Sequence, residues 1–248
     1  MRGLIGVLGG MGPMATVDFF RKIVEETSAE CDQDHVPVIV SSVPDIPSRV
    51  AALMQGGASP LPKMRDAIVR LCSAEIECLV IPCNTAHLWY DELCAASALP
   101  ILHIVDAVRE QLLRRPVLPK RIGLLATEAT VRMRLYEQRL AGLNIDFIAN
   151  TAEERAMYVS PAIDLVKRGD PVRAGQLLSC ALHMLERRGA DTCILACTEL
   201  PLALEAIDSP RLDGCIDATR SLARSAVAWS RQRTQCLMLA PELAASNT

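Results

Sequence analysis

The chain runs twice through the same succession of elements, and that repetition sets narrow limits on its fold. Ile5-Gly6-Val7-Leu8 matches Ile122-Gly123-Leu124-Leu125 at an offset of 117. Further on, Leu79-Val80-Ile81-Pro82-Cys83-Asn84-Thr85 matches Cys193-Ile194-Leu195-Ala196-Cys197-Thr198-Glu199 at an offset of 114. Two similar offsets in the same order are the trace of a duplicated unit. Within each half, apolar strand-like runs alternate with helical stretches. In the first half the strands are 4–8, 36–41 and 78–81, with a helix-like stretch over 17–30. Met64, Ala67, Ile68 and Leu71 fall at i, i+3, i+4 and i+7, the stripe of an amphipathic helix. In the second half the strands are 121–125, 146–148 and 192–196, with a helix over 131–140. Leu178, Ala181, Leu182 and Leu185 form another stripe, which Gly189 is placed to end. A last helix runs from 218 to about 231, with Leu222, Ala226 and Trp229 facing inward. The pattern predicts an α/β fold of two similar parallel-sheet domains related by a pseudo-twofold. The first comprises 1–105 plus 215–248 and the second 106–214. On such an axis Cys83 and Cys197 would face each other across an interdomain cleft.

Composition removes several functions. With 26 Lys+Arg against 29 Asp+Glu the net charge is -3, and no basic block stands out. Nucleic acid and anionic membrane surfaces are therefore not expected partners. No apolar stretch approaches the roughly 20 residues that span a bilayer. The N-terminal apolar run is too short for a signal peptide and breaks into Gly9-Gly10-Met11-Gly12-Pro13, so a soluble, cytoplasmic protein is expected. A disulfide framework does not belong in that compartment. The ten cysteines include no C-x-x-C pair, and Cys193 and Cys197 have no histidine nearby in sequence, which argues against a metal site. Most of these cysteines should be small buried hydrophobes.

Cys83 and Cys197 differ from the rest by position. Each follows a strand and precedes a helix, where open α/β sheets bind ligands. A helix N-terminus there offers unpaired N–H groups to a carboxylate and should lower a thiol pKa from about 8.5 toward neutrality. Position alone fits ordinary buried cysteines at strand ends equally well. The turn Gly9-Gly10-Met11-Gly12-Pro13 lets backbone approach a ligand, with Pro13 suited to a first helical turn. It is neither G-x-G-x-x-G nor a P-loop, so nothing points to a nucleotide.

Taken together, Gly-Gly-Met-Gly-Pro, Ile46-Pro47-Ser48-Arg49, Pro82-Cys83-Asn84-Thr85-Ala86-His87, Leu124-Leu125-Ala126-Thr127-Glu128-Ala129-Thr130 and Ala196-Cys197-Thr198-Glu199-Leu200 resemble the aspartate/glutamate racemase family. The resemblance implies racemisation of an amino acid, aspartate or glutamate foremost, without pyridoxal phosphate or any other cofactor. It implies a homodimer. Cys83 and Cys197 would be the acid and base, one removing the α-proton while the other delivers a proton to the opposite face. Asn84, Thr85 and Thr198 would bind the α-carboxylate, and Met11 and Thr127 would line the cleft. Arg49 and Lys167 stand where relatives carry cations for a substrate carboxylate; a guanidinium can hold one bidentately. His87 reads as a residue that orients its loop, and Glu128 and Glu199 as helix-start residues without a chemical step.

The sequence departs from the family pattern at Ser48, Ala129 and Ala196, where aspartate, glycine and glycine are common. These changes reshape the pocket without removing a catalytic atom. Alternatives within the superfamily are a broad-specificity amino-acid racemase, a hydantoin racemase, a maleate isomerase or an arylmalonate decarboxylase. A two-domain protein that only binds a small carboxylate is a further alternative, but it would not require two opposed thiols.

Overall fold

The computed structural model describes residues 3–245, with side chains as far as Thr234; Met1, Arg2 and the side chain of Cys236 lie outside what is described. The first half runs β1 Ile5–Gly9, α1 Pro13–Glu26, β2 Val38–Ser42, α2 Arg49–Met54, α3 Leu61–Cys72, β3 Cys78–Val80, α4 Tyr90–Ala95, β4 Ile101–Leu102 and α5 Ile104–Leu113. The second half runs β5 Arg121–Ala126, α6 Glu128–Arg132, α7 Leu135–Arg139, β6 Asp146–Ala149, α8 Ala152–Glu154, α9 Ser160–Lys167, α10 Pro171–Arg187, β7 Thr192–Ala196, α11 Leu200–Glu205 and β8 Cys215–Asp217. The long helix α12, Ala218–Ala245, closes the chain.

Two parallel four-stranded sheets result, ordered β2-β1-β3-β4 and β6-β5-β7-β8. The repeat seen in the sequence extends to strand register. Ile5 pairs with Cys78 and Gly6 with Leu79, while Ile122 pairs with Thr192 and Gly123 with Cys193. Those are the same pairs displaced by the two sequence offsets.

Side-chain alternation along the strands divides the apolar residues into three cores. Ile5, Val7, Cys78 and Val80 point into one core together with Ile122, Leu124, Ile194 and Ile216, shared with residues of α1, α5, α7 and α12. The opposite faces are covered separately. Leu8, Leu79 and Ile81 pack with Met64, Ala67, Ile68 and Leu71 of α3, and Leu125, Cys193 and Leu195 pack with the Leu178–Leu185 stripe of α10. Strands buried on both faces must be apolar nearly throughout, which is why β1, β3 and β7 read as continuous apolar runs.

Three expectations need correction. The helix expected over 131–140 is two short helices, because Arg134 adopts φ +52, a left-handed conformation that a right-handed helix cannot continue through. The helix expected over 17–30 begins at Pro13 and ends at Glu26, since Pro at the first helical position needs no N–H partner. The strands β4 and β8 were not expected; with two and three residues they are too short to show a period. β8 hydrogen-bonds to β7, so Cys215–Asp217 belongs to the second sheet, and α12 returns to pack on α1 and α5. No described helix is long and apolar enough to cross a membrane.

Candidate active site

The turn after β1 is built around Gly10, whose φ is +90 and where a Cβ would lie 2.3 Å from the backbone nitrogen of Val43. Only glycine fits there. The Thr16 hydroxyl accepts from Gly10 N–H at 2.8 Å and donates to the Gly12 carbonyl at 2.9 Å, which fixes the turn to α1. Arg49 holds the same turn from the other side. Its guanidinium donates to the carbonyls of Met11 at 3.0 Å, Pro47 at 3.0 Å and Ile46 at 3.3 Å, while its buried Nε has no partner. In this structure Arg49 thus ties three carbonyls together. Ser48 caps α2 by accepting from Ala51 N–H at 3.2 Å, and serine is among the residues best suited to that position.

Cys83 lies in the turn after β3, and His87 holds that turn as the sequence suggests. One ring nitrogen, Nδ1, donates to the Cys83 carbonyl at 3.0 Å, and Nε2 accepts from Ile104 N–H at 3.2 Å. That pattern requires the neutral ring. Burial, above all, lowers the His87 pKa from the ordinary 6.5 to about 4, and lowers that of neighbouring His103 to about 2. The consequence for stability has a definite sign. As pH falls below 6.5 the unfolded chain takes up the proton first, so stability is lost between pH 6.5 and 4. For His87 alone the loss is about 3 kcal/mol. His87→Gln is therefore expected to shrink the difference in unfolding free energy between pH 7 and 4.5 by about 2–3 kcal/mol in urea titrations. Equal slopes in both proteins would show that the ring is not held neutral.

Across from this turn, Thr85, Thr127 and Thr130 form a triangle of hydroxyls at 2.9, 3.0 and 3.2 Å. It joins the Cys83 turn to the N-terminus of α6, where Thr127 is the cap. Cys197 follows β7. Its thiol donates to Oε2 of Glu199 at 3.1 Å, as does the Thr198 hydroxyl at 3.2 Å. Burial first, and then the Glu199 carboxylate, push the Cys197 pKa well above its ordinary value, while Lys167 acts in the opposite sense. The lowering expected from a helix N-terminus is reversed at this cysteine. Glu199 does stand at the N-cap of α11, but its carboxylate is buried on the thiol and its Oε1 has no partner. Glu199 thus both starts the helix and accepts from the thiol. The spacing Cys-x-Glu was the available signal: it returns the third side chain onto the first within one tight turn.

A single small pocket joins these pieces. Met11, Arg49, Cys83 and Thr85 from the first half line it with Thr127, Lys167, Cys197 and Thr198 from the second. The structure thus brings together eight of the nine site residues expected from sequence. Ser48, Val50 and Glu199 complete the wall. The ninth, Asn84, is buried behind the wall, where Oδ1 accepts from the Tyr136 hydroxyl at 2.5 Å and Nδ2 has no partner. Lys167, the last residue of α9, makes no ion pair among the described residues. The pocket's cavity volume is about 40 Å³. That is room for a few waters only, so an amino acid requires the walls to part. An adjoining chamber of about 380 Å³ shares Ser48, Val50, Thr127 and Lys167 with it and adds Met54, Ile163 and Asp164. Among the described residues no group of three His, Cys, Asp or Glu side chains is arranged to hold a metal ion. Seven of the nine described cysteines are buried or half-buried, with Cys31 and Cys180 exposed. Burial pushes the thiols of Cys78, Cys193 and Cys215 up to about 12, which makes them inert at neutral pH.

The family model for Asp/Glu/hydantoin racemases matches residues 8–226. The chain belongs to this family. Among the racemases it is similar to is the broad specificity amino-acid racemase RacX of Bacillus subtilis, 28% identical over 230 residues, which cover 90% of this chain and 96% of RacX. The aspartate racemase of Picrophilus torridus superposes with a TM-score of 0.80 at 30% identity, over 92% of this chain and 94% of that one. The glutamate racemase of Francisella tularensis, solved with D-glutamate, shares the fold at a TM-score of 0.62 and 18% identity, over 90% of this chain and 79% of that one. Within this racemase-family chain, Ala129 and Ala196 are fully buried, Ala196 paired in register with Ala126.

Proposed function

We propose that this chain racemises an amino acid by a two-base mechanism without pyridoxal phosphate, in a cleft between two domains. The proposed domains are 1–105 plus 215–248 and 106–214, with residues 215–217 hydrogen-bonded into the second sheet. The observation that supports the mechanism most is the pair Cys83 and Cys197, contributed by equivalent turns of the two halves to one buried pocket. A planar carbanion must be reprotonated on the face opposite to the one that lost its proton, and one group cannot serve both faces. The thiol of Cys197, hydrogen-bonded to Glu199, is poised as the acid. Cys83 takes the α-proton as thiolate, Cys197 gives its proton to the opposite face, and the roles exchange in the reverse direction. Acid–base catalysis supplies on the order of 10²–10⁴-fold. The rest comes from stabilising charge on the α-carboxylate, for which the donors of Asn84, Thr85 and Thr198 are proposed. From the family resemblance we further propose that the protein is cytoplasmic and forms a homodimer.

Aspartate or glutamate is the first choice of substrate. A broad-specificity racemase is the second reading, and one observation favours it. The Arg49 guanidinium is engaged by three carbonyls, while Lys167, the pocket cation with no ion pair among the described residues, stands beside the apolar Val50, Met54 and Ile163. Incubation of each enantiomer of aspartate, glutamate and a panel of neutral amino acids in D₂O is expected to place deuterium at the α-carbon while chirality decays to 1:1. Absence of exchange for every amino acid would reject the racemase reading. The pattern across the panel would decide between the two substrate readings.

A further inference from the structure

Tyr136 belongs to the second half, on α7, yet its hydroxyl ends on Asn84 of the first. The 2.5 Å separation is the length of an O–H···O bond and too short for N–H···O, so the amide oxygen faces the phenol and Nδ2 faces away. Asn84 is 2% exposed, and its Nδ2 has no partner. A buried donor left unpaired lowers stability, and native structures keep few of them without a reason. The residues on either side, Cys83 and Thr85, both line the pocket.

The tyrosine is placed for this contact by the break in its helix. Arg134, at φ +52, separates α6 from α7, and the first two residues after it, Leu135 and Tyr136, are the buried ones of α7. The ring is fully buried. Its hydroxyl is also held protonated, because burial first and then the Asp217 carboxylate raise its pKa well above 10. It can therefore donate at any working pH.

We infer that Tyr136 is a positioning residue of this site: its hydroxyl fixes the Asn84 amide, just behind the wall of the closed pocket, so that Nδ2 is held as a donor for the substrate's α-carboxylate once the walls part. The inference rests on the reading of an α-amino acid as substrate. Without the hydroxyl, the amide turns about its last torsion, and the donor is presented for only a fraction of the time.

Calorimetric titration with α-methylaspartate and α-methylglutamate, which have no α-proton to lose, reads this step without turnover. Tyr136→Phe is expected to raise the Kd of the analogue that binds the native protein about tenfold. In an Asn84→Ala background the same substitution is expected to change Kd less than twofold, since a residue acting through Asn84 has nothing left to position. A general packing role would weaken binding equally in both backgrounds. Asn84→Asp retains the acceptor for the phenol but replaces the donor with a negative oxygen, so it should bind the analogue more weakly than Asn84→Ala. That comparison keeps the inference falsifiable if Tyr136→Phe fails to fold. An unchanged Kd in Tyr136→Phe, equal losses in both backgrounds, Asn84→Asp binding as well as Asn84→Ala, or no binding to the native protein would each overturn it. Loss of the racemase reading shows separately, as absence of exchange in D₂O by a native protein that binds the analogue.

Discussion

Cys83→Ala and Cys197→Ala are each expected to reduce racemisation at least about 10³-fold in a folded protein, within the range that general acid–base groups supply. The two losses should differ in kind. With one thiol removed, the other still reaches its own face, where it can take an α-proton and return a deuteron without inversion. Each variant should therefore retain slow exchange in D₂O from one enantiomer only, and the two variants should prefer opposite enantiomers. Proton NMR in D₂O with chiral chromatography measures both quantities. Retention of racemisation by either variant would reject the two-thiol mechanism. Both cysteines are small and 6% exposed, so truncation to alanine should leave the fold intact and the comparison clean.

The strands and the apolar stripes were legible because burial repeats with a period. Met64, Ala67, Ile68 and Leu71 are the four buried residues of α3, and Leu178, Ala181, Leu182 and Leu185 are among the six of α10. The cysteine pair was legible through the repeat, since two similar strand-to-turn segments have to occupy equivalent places in equivalent sheets. What stayed hidden depends on backbone angles and on distance along the chain. Nothing in Val131-Arg132-Met133-Arg134-Leu135 announces a left-handed residue, because arginine has no preference for that conformation. The contact between Tyr136 and Asn84 spans 52 residues, beyond any local pattern. Arg49 could be placed near the site from its motif. The engagement of its guanidinium with the carbonyls of Met11, Ile46 and Pro47 follows only from the folded turn.

Lys22→Met is expected to destabilise the protein by about 3–5 kcal/mol, the usual consequence of removing one partner from a buried ion pair. The Lys22 side chain is fully buried, with Nζ 2.6 Å from Asp18 and 2.7 Å from Asp217. Asp18 is 1% exposed and Asp217 12%. Burial opposes the charge on Lys22, but the two carboxylates outweigh it and the pKa is raised. Because the folded pKa lies above the ordinary 10.5, the contribution is fully present at neutral pH and fades only as pH rises through the raised value. The deficit in Lys22→Met should therefore be flat between pH 6 and 9. It corresponds to a fall in melting temperature of about 10 °C for a domain of this size. The two acids are not equivalent once the lysine has gone. Asp217 still accepts from the N–H groups of Thr219 and Arg220 at 2.8 and 3.1 Å, capping α12, so its carboxylate keeps partners. Asp18 retains only the partly exposed Arg21. Most of the penalty therefore falls on Asp18, and Lys22→Met combined with Asp18→Leu should recover more than half of the lost stability. A single variant within 1 kcal/mol of the native protein would mean that water reaches the ion pair. A double variant no better than the single would move the penalty from Asp18 to Asp217.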